Sequence, residues 1–300
     1  MLKAVNFGVF LGLLALVPSQ VIGQKPIHSV KFKLFGDKIF LTAHILDSNK
    51  IEVLFDNGTY AYMHSGTARK HRIDYTETGK MSGTEGTREI NMFEDFGVAF
   101  DGLNDTFETV RSQATAPYKG KRVDMVFGKE WVDKYIVEID YDNLVINLYA
   151  IKGFKAPERY TEISTLSWNR YPLVKSTFKF DSGDSTDINV ELNVGSEVGF
   201  QLDKYITRKL KLTKVQDDKG TMRLFGPDGK GIEGMLTRVP SVMIDNMRVT
   251  NVRGALFENG YSNKNGEFVQ GVVGQGFLKW YNVIFDKRGG KVYYVPKKQG

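Results

Sequence analysis

Hydrophobic and polar residues alternate along two stretches of the chain that repeat the same order of elements. The first stretch predicts a strand over Phe40–Ile45, a polar turn, and a second strand over Ile51–Thr59. About 140 residues later, strands predicted over Leu173–Phe180 and Ile188–Ser196 flank another polar turn. In both stretches the second strand runs into a corner that contains glycine. The pattern therefore predicts an internal repeat of a β-rich unit.

A second matched pattern follows each corner. Met125–Gly128 precedes a short helix, a strand, an Asp turn and a final strand, and Val272–Gly274 precedes the same series. The spacing from Asp56 to the first of these glycines is 72 residues, and the spacing from Asn193 to the second is 81. Two patterns that recur in the same order at similar spacing indicate a duplicated lobe.

The N-terminus has the layout of a secretory signal peptide. Lys3 precedes eleven uncharged residues, Phe7–Val17, and Pro18 ends this run shortly before a predicted cleavage site after Gly23. A membrane anchor is the alternative, but eleven residues span about half of a hydrocarbon core roughly 30 Å thick. We expect a signal peptide at 1–23, lobes at 24–155 and 156–300, no stable membrane anchor after cleavage, and a secreted or periplasmic protein.

The amino-acid composition excludes several kinds of catalytic and metal site. The 300 residues are 41% hydrophobic, which suffices for a sizeable core, and 31 glycines with many aromatic residues favour strands and turns. The chain has no Cys, which excludes disulfides, thiolate metal sites and a Cys nucleophile, and its four His form no zinc motif. A net charge of +6 is dispersed along the chain and indicates no nucleic-acid partner. We expect neither a metal nor a cofactor.

The two corners and the patterns that follow them resemble the aspartic protease family. In that family an apolar strand ends in Asp-Thr/Ser-Gly, and an apolar pair with Gly and a short helix follows about 70 to 80 residues later. Two such lobes in one chain are similar to the pepsin type, while the short, Gly-rich lobes resemble retropepsin-like proteases of bacteria. The resemblance covers roughly residues 30–296. It implies a mostly β fold of two homologous barrel-like lobes with a cleft between them, joined by a linker at about 151–167.

The resemblance implies that the catalytic positions are Asp56 and Asn193, and that the second motif is degenerate. Aspartic proteolysis needs two carboxylates that share a proton, and Asn193 carries an amide that neither takes up nor releases one. Asn57 and Val194 stand where the family has hydroxyl residues. We expect Asn57, Gly58, Val194 and Gly195 to bind substrate, with both glycines allowing close approach of the backbone through positive φ angles.

Two other segments invite a functional interpretation. Asp181-Ser182-Gly183 matches the family tripeptide by letters, but it lies in a polar turn ahead of the strand that leads to the corner, and we interpret it as a hairpin turn. Lys80–Gly86 is predicted to be either a flap over the cleft or an ordinary surface turn.

Three functions remain open from the sequence. The first is an exported, catalytically impaired homologue whose cleft holds a peptide or protein segment by strand-like pairing. The second is an active aspartic endopeptidase in which Asp56 works with an unidentified partner. The third is a structural or assembly protein of the cell envelope. A second carboxylate pointing at Asp56 would favour the active enzyme.

Overall fold

The computed structural model describes residues 24–46, 49–83, 86–114, 117–180, 183–209, 211, 220–225, 231–257 and 269–298. The predicted signal peptide lies outside the described residues, as do Asp181 and Ser182 of the Asp181-Ser182-Gly183 tripeptide. No helix within the described ranges has both the length and the apolar character needed to cross a membrane.

Strands dominate the N-terminal half. They are β1 (His28–Phe35), β2 (Lys38–Ile45), β3 (Asn49–Asp56), β4 (Tyr62–His64), β5 (Glu77–Gly83), β6 (Gly86–Phe100), β7 (Leu103–Gln113), β8 (Met125–Gly128), β9 (Ile136–Asp140) and β10 (Val145–Tyr149). Two short helices, α1 (Ser65–His71) and α2 (Lys129–Lys134), interrupt them.

The C-terminal half has the same character. Its strands are β11 (Thr161–Ser164), β12 (Ser167–Trp168), β13 (Pro172–Lys179), β14 (Ser185–Leu192), β15 (Phe200–Leu202), β16 (Thr221–Phe225), β17 (Gly231–Ile244), β18 (Met247–Leu256), β19 (Gly271–Val273), β20 (Tyr281–Asp286) and β21 (Lys291–Pro296). Its helices are α3 (Lys204–Lys209) and α4 (Gln275–Leu278).

The strand pairing of the two halves is equivalent, as the sequence repeat predicts. In the first half β2 pairs with both β3 and β6, β3 runs parallel to β8, and β4 lies between β8 and β7. In the second half β13 pairs with both β14 and β17, β14 runs parallel to β19, and β15 lies between β19 and β18. Because β2 pairs with both β3 and β6, and β13 with both β14 and β17, each sheet curls into a barrel-like lobe.

A shared sheet joins the two lobes. β9 of the first half pairs antiparallel with β20 of the second, and β1 and β10 extend the sheet on one side while β21 and β11 extend it on the other. The predicted linker at about 151–167 is thus only partly a connection, because β11 within it pairs with β21. The backbone of β11 forms ladder hydrogen bonds with β21 at the edge of this sheet. The polar residues, Gly and Pro of this stretch predict a linker and not a strand.

One continuous hydrophobic core runs through both lobes and the shared sheet. In the first lobe it is built on aromatic rings: Phe127 lies 4.7 Å from Trp131 and 5.0 Å from Phe107, measured between ring centroids. Because Phe127 precedes Gly128 at the end of β8, this packing fixes the strand that supports the first corner. The core therefore determines where the residues of the candidate site lie.

Candidate functional site

The first corner follows directly from β3, whose alternating pattern buries Val53 and Phe55 and leaves Asp56 partly buried at the strand end. The Gly58 N–H donates to Asp56 Oδ1 over 3.1 Å, and the Thr59 N–H donates to the Asp56 carbonyl over 3.1 Å. An Asp side chain that accepts from the backbone two residues on is a common way to stabilise a turn. The carboxylate is therefore held at the corner by the corner's own backbone.

The second corner repeats this geometry with an amide in place of the carboxylate. The Gly195 N–H donates to Asn193 Oδ1 over 2.7 Å, and the Ser196 N–H donates to the Asn193 carbonyl over 3.2 Å. The strand register agrees, because Asp56 lies opposite Gly128 and the Asn193 N–H donates to the carbonyl of Val273, one residue before Gly274. Asp56 and Asn193 therefore occupy equivalent positions in the two lobes.

The two corners lie against each other at Gly195. A Cβ atom built on Gly195 would be 2.1 Å from Asp56 Oδ2 and 2.4 Å from its Cγ, so only a residue without a side chain fits. The expectation that Gly58 and Gly195 need positive φ angles was wrong, because neither has a φ in the left-handed region. Glycine is required here for the close approach of the carboxylate.

Asn57 connects the lobes. Its Nδ2 donates to the carbonyl of Leu192 over 3.0 Å, and its Oδ1 accepts the N–H of Val194 over 3.0 Å. Asn57 stands where the resemblance implies a hydroxyl residue, and its amide supplies both a donor and an acceptor across the interface. Val194 returns only its backbone N–H. Asn57 and Val194 are each 1% exposed, so their side chains are not accessible to a substrate. The substrate contact predicted for these residues could then be made only by the backbone of the corners.

The Asp56 carboxylate has a further partner that the sequence did not reveal. The Tyr171 hydroxyl, from the residue before β13, donates to Asp56 Oδ1 over 3.0 Å. Burial raises the pKa of Tyr171 well above its ordinary value, and the negative charge of Asp56 raises it further. The phenol therefore keeps its proton at neutral pH and acts as a neutral hydrogen-bond donor to the carboxylate.

Lys38, at the start of β2, also interacts electrostatically with Asp56. Burial lowers the pKa of Lys38 below its ordinary value, although the negative charges of Asp56 and Glu197 oppose this shift. Lys38 and Tyr171 occupy matching positions in the two lobes. Lys38 lies two residues before Phe40, which pairs with Leu54, two residues ahead of Asp56. Tyr171 lies two residues before Leu173, which pairs with Glu191, two residues ahead of Asn193. A careful alignment of the repeat could have singled out both residues.

The hydrogen-bond partners of Asp56 determine whether the site can exchange protons with a water molecule. Within the described ranges, the hydrogen bonds to its carboxylate come from the Gly58 N–H and the Tyr171 hydroxyl, and neither donor is a carboxyl group. A carboxylate opposite an amide carries the net charge of a carboxylate pair that shares one proton. The amide, however, cannot exchange protons with a water molecule. The described residues also contain no cluster of three His, Asp or Glu suited to a metal ion.

The segment predicted as a flap is a β-hairpin. β5 and β6 pair along their length up to Gly83 opposite Gly86, and the predicted stretch 80–86 forms the end of this hairpin. Residues 84–85 lie outside the described residues. A flap function for the hairpin remains a prediction.

Introducing a carboxylate at position 193 is expected to make stability depend on pH. In Asn193→Asp, two carboxylates would adjoin Gly195, and their repulsion raises the pKa of the introduced carboxyl in the folded state. Because a raised folded pKa means that the folded state holds the proton longer, the deficit appears as pH rises above about 4 and disappears at lower pH. We expect a loss of about 1.5–3 kcal/mol at pH 7.5, since one pKa unit corresponds to about 1.4 kcal/mol.

Urea unfolding of the wild-type chain and Asn193→Asp at pH 3 and pH 7.5 measures this difference. Asn91→Asp, on the exposed face of β6, is the matched control and should show no such dependence. An equal deficit at both pH values would show that the amide serves only to pack the corner.

Comparison with known proteins agrees with this architecture. No protein-family model matches the sequence, and no curated protein is similar to it in sequence. Among solved structures, the chain is similar to the aspartic proteinase from Irpex lacteus, with a TM-score of 0.57 and 10% sequence identity. The match covers 90% of this chain and 97% of that one. The likeness confirms the predicted fold class: the chain has the mostly β, two-lobed fold of a pepsin-like aspartic proteinase.

Proposed function

We propose that this protein binds an extended peptide or protein segment in the cleft between its lobes and does not hydrolyse it. The observation that carries the proposal is the position of Asn193. Its amide oxygen accepts the Gly195 N–H just as the Asp56 carboxylate accepts the Gly58 N–H. The residue that should exchange a proton with Asp56 therefore cannot do so, and general acid–base help worth about 10²–10⁴-fold in rate is lost.

The rest of the site supports retention of the cleft. Asn57 preserves the hydrogen bonds that hold the two corners together, although hydrolysis no longer depends on them. The Gly58 carbonyl and the Asp56 carboxylate accept hydrogen bonds from Arg170 and Tyr171, and both are acceptors that an extended backbone could bind in strand-like form. The short lobes and Gly-rich spacing favour a retropepsin-like relative with degenerate motifs.

We also propose that the protein is exported. The proposal depends on the charge, apolar run and cleavage pattern of residues 1–23, which favour a secreted or periplasmic location. A mature N-terminus at Gln24 in protein recovered from the medium or periplasm of its host would be the direct measurement; an uncleaved chain would contradict it.

A mixed peptide library tests the function. Purified protein is incubated with the library from pH 3 to pH 8, products are identified by mass spectrometry, and retained peptides are recovered after rapid removal of the free pool. We expect retained peptides and no cleavage above the level of Asp56→Ala, which is the matched control. Cleavage by wild type that Asp56→Ala abolishes would favour the active endopeptidase. Neither cleavage nor retention would favour an assembly role in the cell envelope.

A further inference from the structure

A short hairpin loop covers the first corner. β12 and β13 pair through Trp168 and Pro172, so Asn169–Tyr171 forms a three-residue loop between them. The Arg170 Nε donates to the Gly58 carbonyl over 3.2 Å, while the Tyr171 hydroxyl donates to Asp56 Oδ1. The loop therefore binds both a backbone oxygen and the carboxylate of the corner from the opposite lobe.

The ring of Tyr171 fills the space in front of Gly58. A Cβ atom built on Gly58 would be 2.1 Å from Tyr171 Cε1, which shows that the ring packs directly on the glycine backbone. Tyr171 is 8% exposed, whereas Arg170 lies on the surface with its guanidinium over the Tyr171 ring. An extended peptide could not reach Gly58 or Asp56 while the ring is in place.

The two acceptors that the loop engages, the Gly58 carbonyl and Asp56 Oδ1, are groups that could also accept hydrogen bonds from a peptide. A backbone N–H of a bound strand would donate to the Gly58 carbonyl where Arg170 Nε does, and a polar hydrogen near the centre of the peptide would reach Asp56 where the Tyr171 hydroxyl does. β12 consists of two residues and pairs only with β13 among the described strands, so little ladder pairing holds the loop on the β12 side, whereas β13 pairs with β14 from Leu173 onward.

We propose that the loop Asn169–Tyr171 occupies the peptide site at Asp56 in the free protein and that an extended peptide displaces it on binding. The identity of the ligand rests on the proposed function, whereas the occlusion of Asp56 does not. Because a ligand must compete with the loop, its apparent affinity is its intrinsic affinity multiplied by the fraction of molecules in which the loop is open.

Chemical labelling of the Asp56 carboxyl tests the occlusion without any ligand. The full chain is treated with a water-soluble carbodiimide and glycinamide, and amidation at each carboxyl is followed by peptide mapping. Asp101, on an exposed turn, is the internal reference. We expect Asp56 to react about tenfold more slowly than Asp101 in the wild type and to approach the Asp101 rate in Tyr171→Ala, since a closed loop reduces the reactive population.

Arg170→Ala keeps the test valid if Tyr171→Ala fails to fold, because the Arg170 side chain is exposed. It should increase Asp56 labelling about threefold by weakening the closed loop. Arg159→Ala is the matched control, since Arg159 lies over the ring of Tyr160 in the same way but away from the corner. Equal labelling of Asp56 and Asp101 in the wild type, or no increase in either loop variant, would overturn the proposal.

Peptide retention by the same variants separates this inference from the proposed function. If the loop variants retain library peptides more tightly than the wild type, both stand. If Asp56 becomes reactive in these variants but none of them retains a peptide, the occlusion stands and the peptide-binding function fails.

Discussion

Replacing Gly195 with alanine is expected to lower the free energy of unfolding by about 3–5 kcal/mol. The new methyl group would lie 2.1 Å from Asp56 Oδ2, far inside van der Waals contact, so the carboxylate must move. Moving it weakens the hydrogen bonds from the Gly58 N–H and the Tyr171 hydroxyl, and bonds to a charged group contribute about 1.5–3 kcal/mol. The loss adds to the cost of overpacking.

Urea denaturation of the wild type and Gly195→Ala measures the loss. Gly97→Ala is the matched control, because a Cβ at Gly97 meets no atom within 4 Å and its φ is not in the left-handed region. It should change stability by less than about 0.5 kcal/mol. If the two alanine variants were equally stable, the corners would not be in contact in solution.

The second large effect is expected at Asn57. Asn57→Ala leaves the Val194 N–H and the Leu192 carbonyl without partners in the buried interface between the lobes. An unsatisfied buried polar group costs about 1–3 kcal/mol, so we expect a loss of about 3 kcal/mol in total. The same change should loosen the contact between the corners, since among the described residues only the Asn57 side chain bridges these two backbone groups.

Asn57→Thr distinguishes this role from simple packing. A Thr hydroxyl has one donor and can accept as well, so it can restore both interactions, and the variant should recover most of the stability lost in Asn57→Ala. Unfolding curves of the two variants at one pH provide the comparison. Similar losses for alanine and threonine would mean that the interface needs the volume of the amide rather than its hydrogen bonds.

Local patterning accounts for most of the fold. β14 buries alternate residues, including Val190, because side chains on a strand point to opposite faces in turn, and β3 does the same up to Val53 before both of its faces become covered. The two corners follow where this alternation ends at Asp56 and Asn193. Since the same order of elements recurs, equivalent pairing in the two halves follows from the repeat, and the structure shows it as β3 parallel to β8 and β14 parallel to β19.

The contacts of the site were harder to predict. The role of Asn57 between the lobes could not be predicted, because a sequence shows a residue type but not the groups it meets, and its partners lie 135 and 137 residues away. The steric need for Gly195 has the same origin, since the atom that excludes a side chain belongs to the other lobe.

The duplicated strand order, the two corners and the presence of an amide at position 193 all follow from the amino-acid sequence, because each depends on residues that are neighbours along the chain or on the chemistry of one side chain. Three contacts become visible only in the folded chain: Asn57 joins the lobes, Asp56 adjoins Gly195, and the Tyr171 hydroxyl donates a hydrogen bond to the carboxylate. These contacts arise when the shared sheet brings two distant corners together, and alternation along a strand carries no information about which surface it will face.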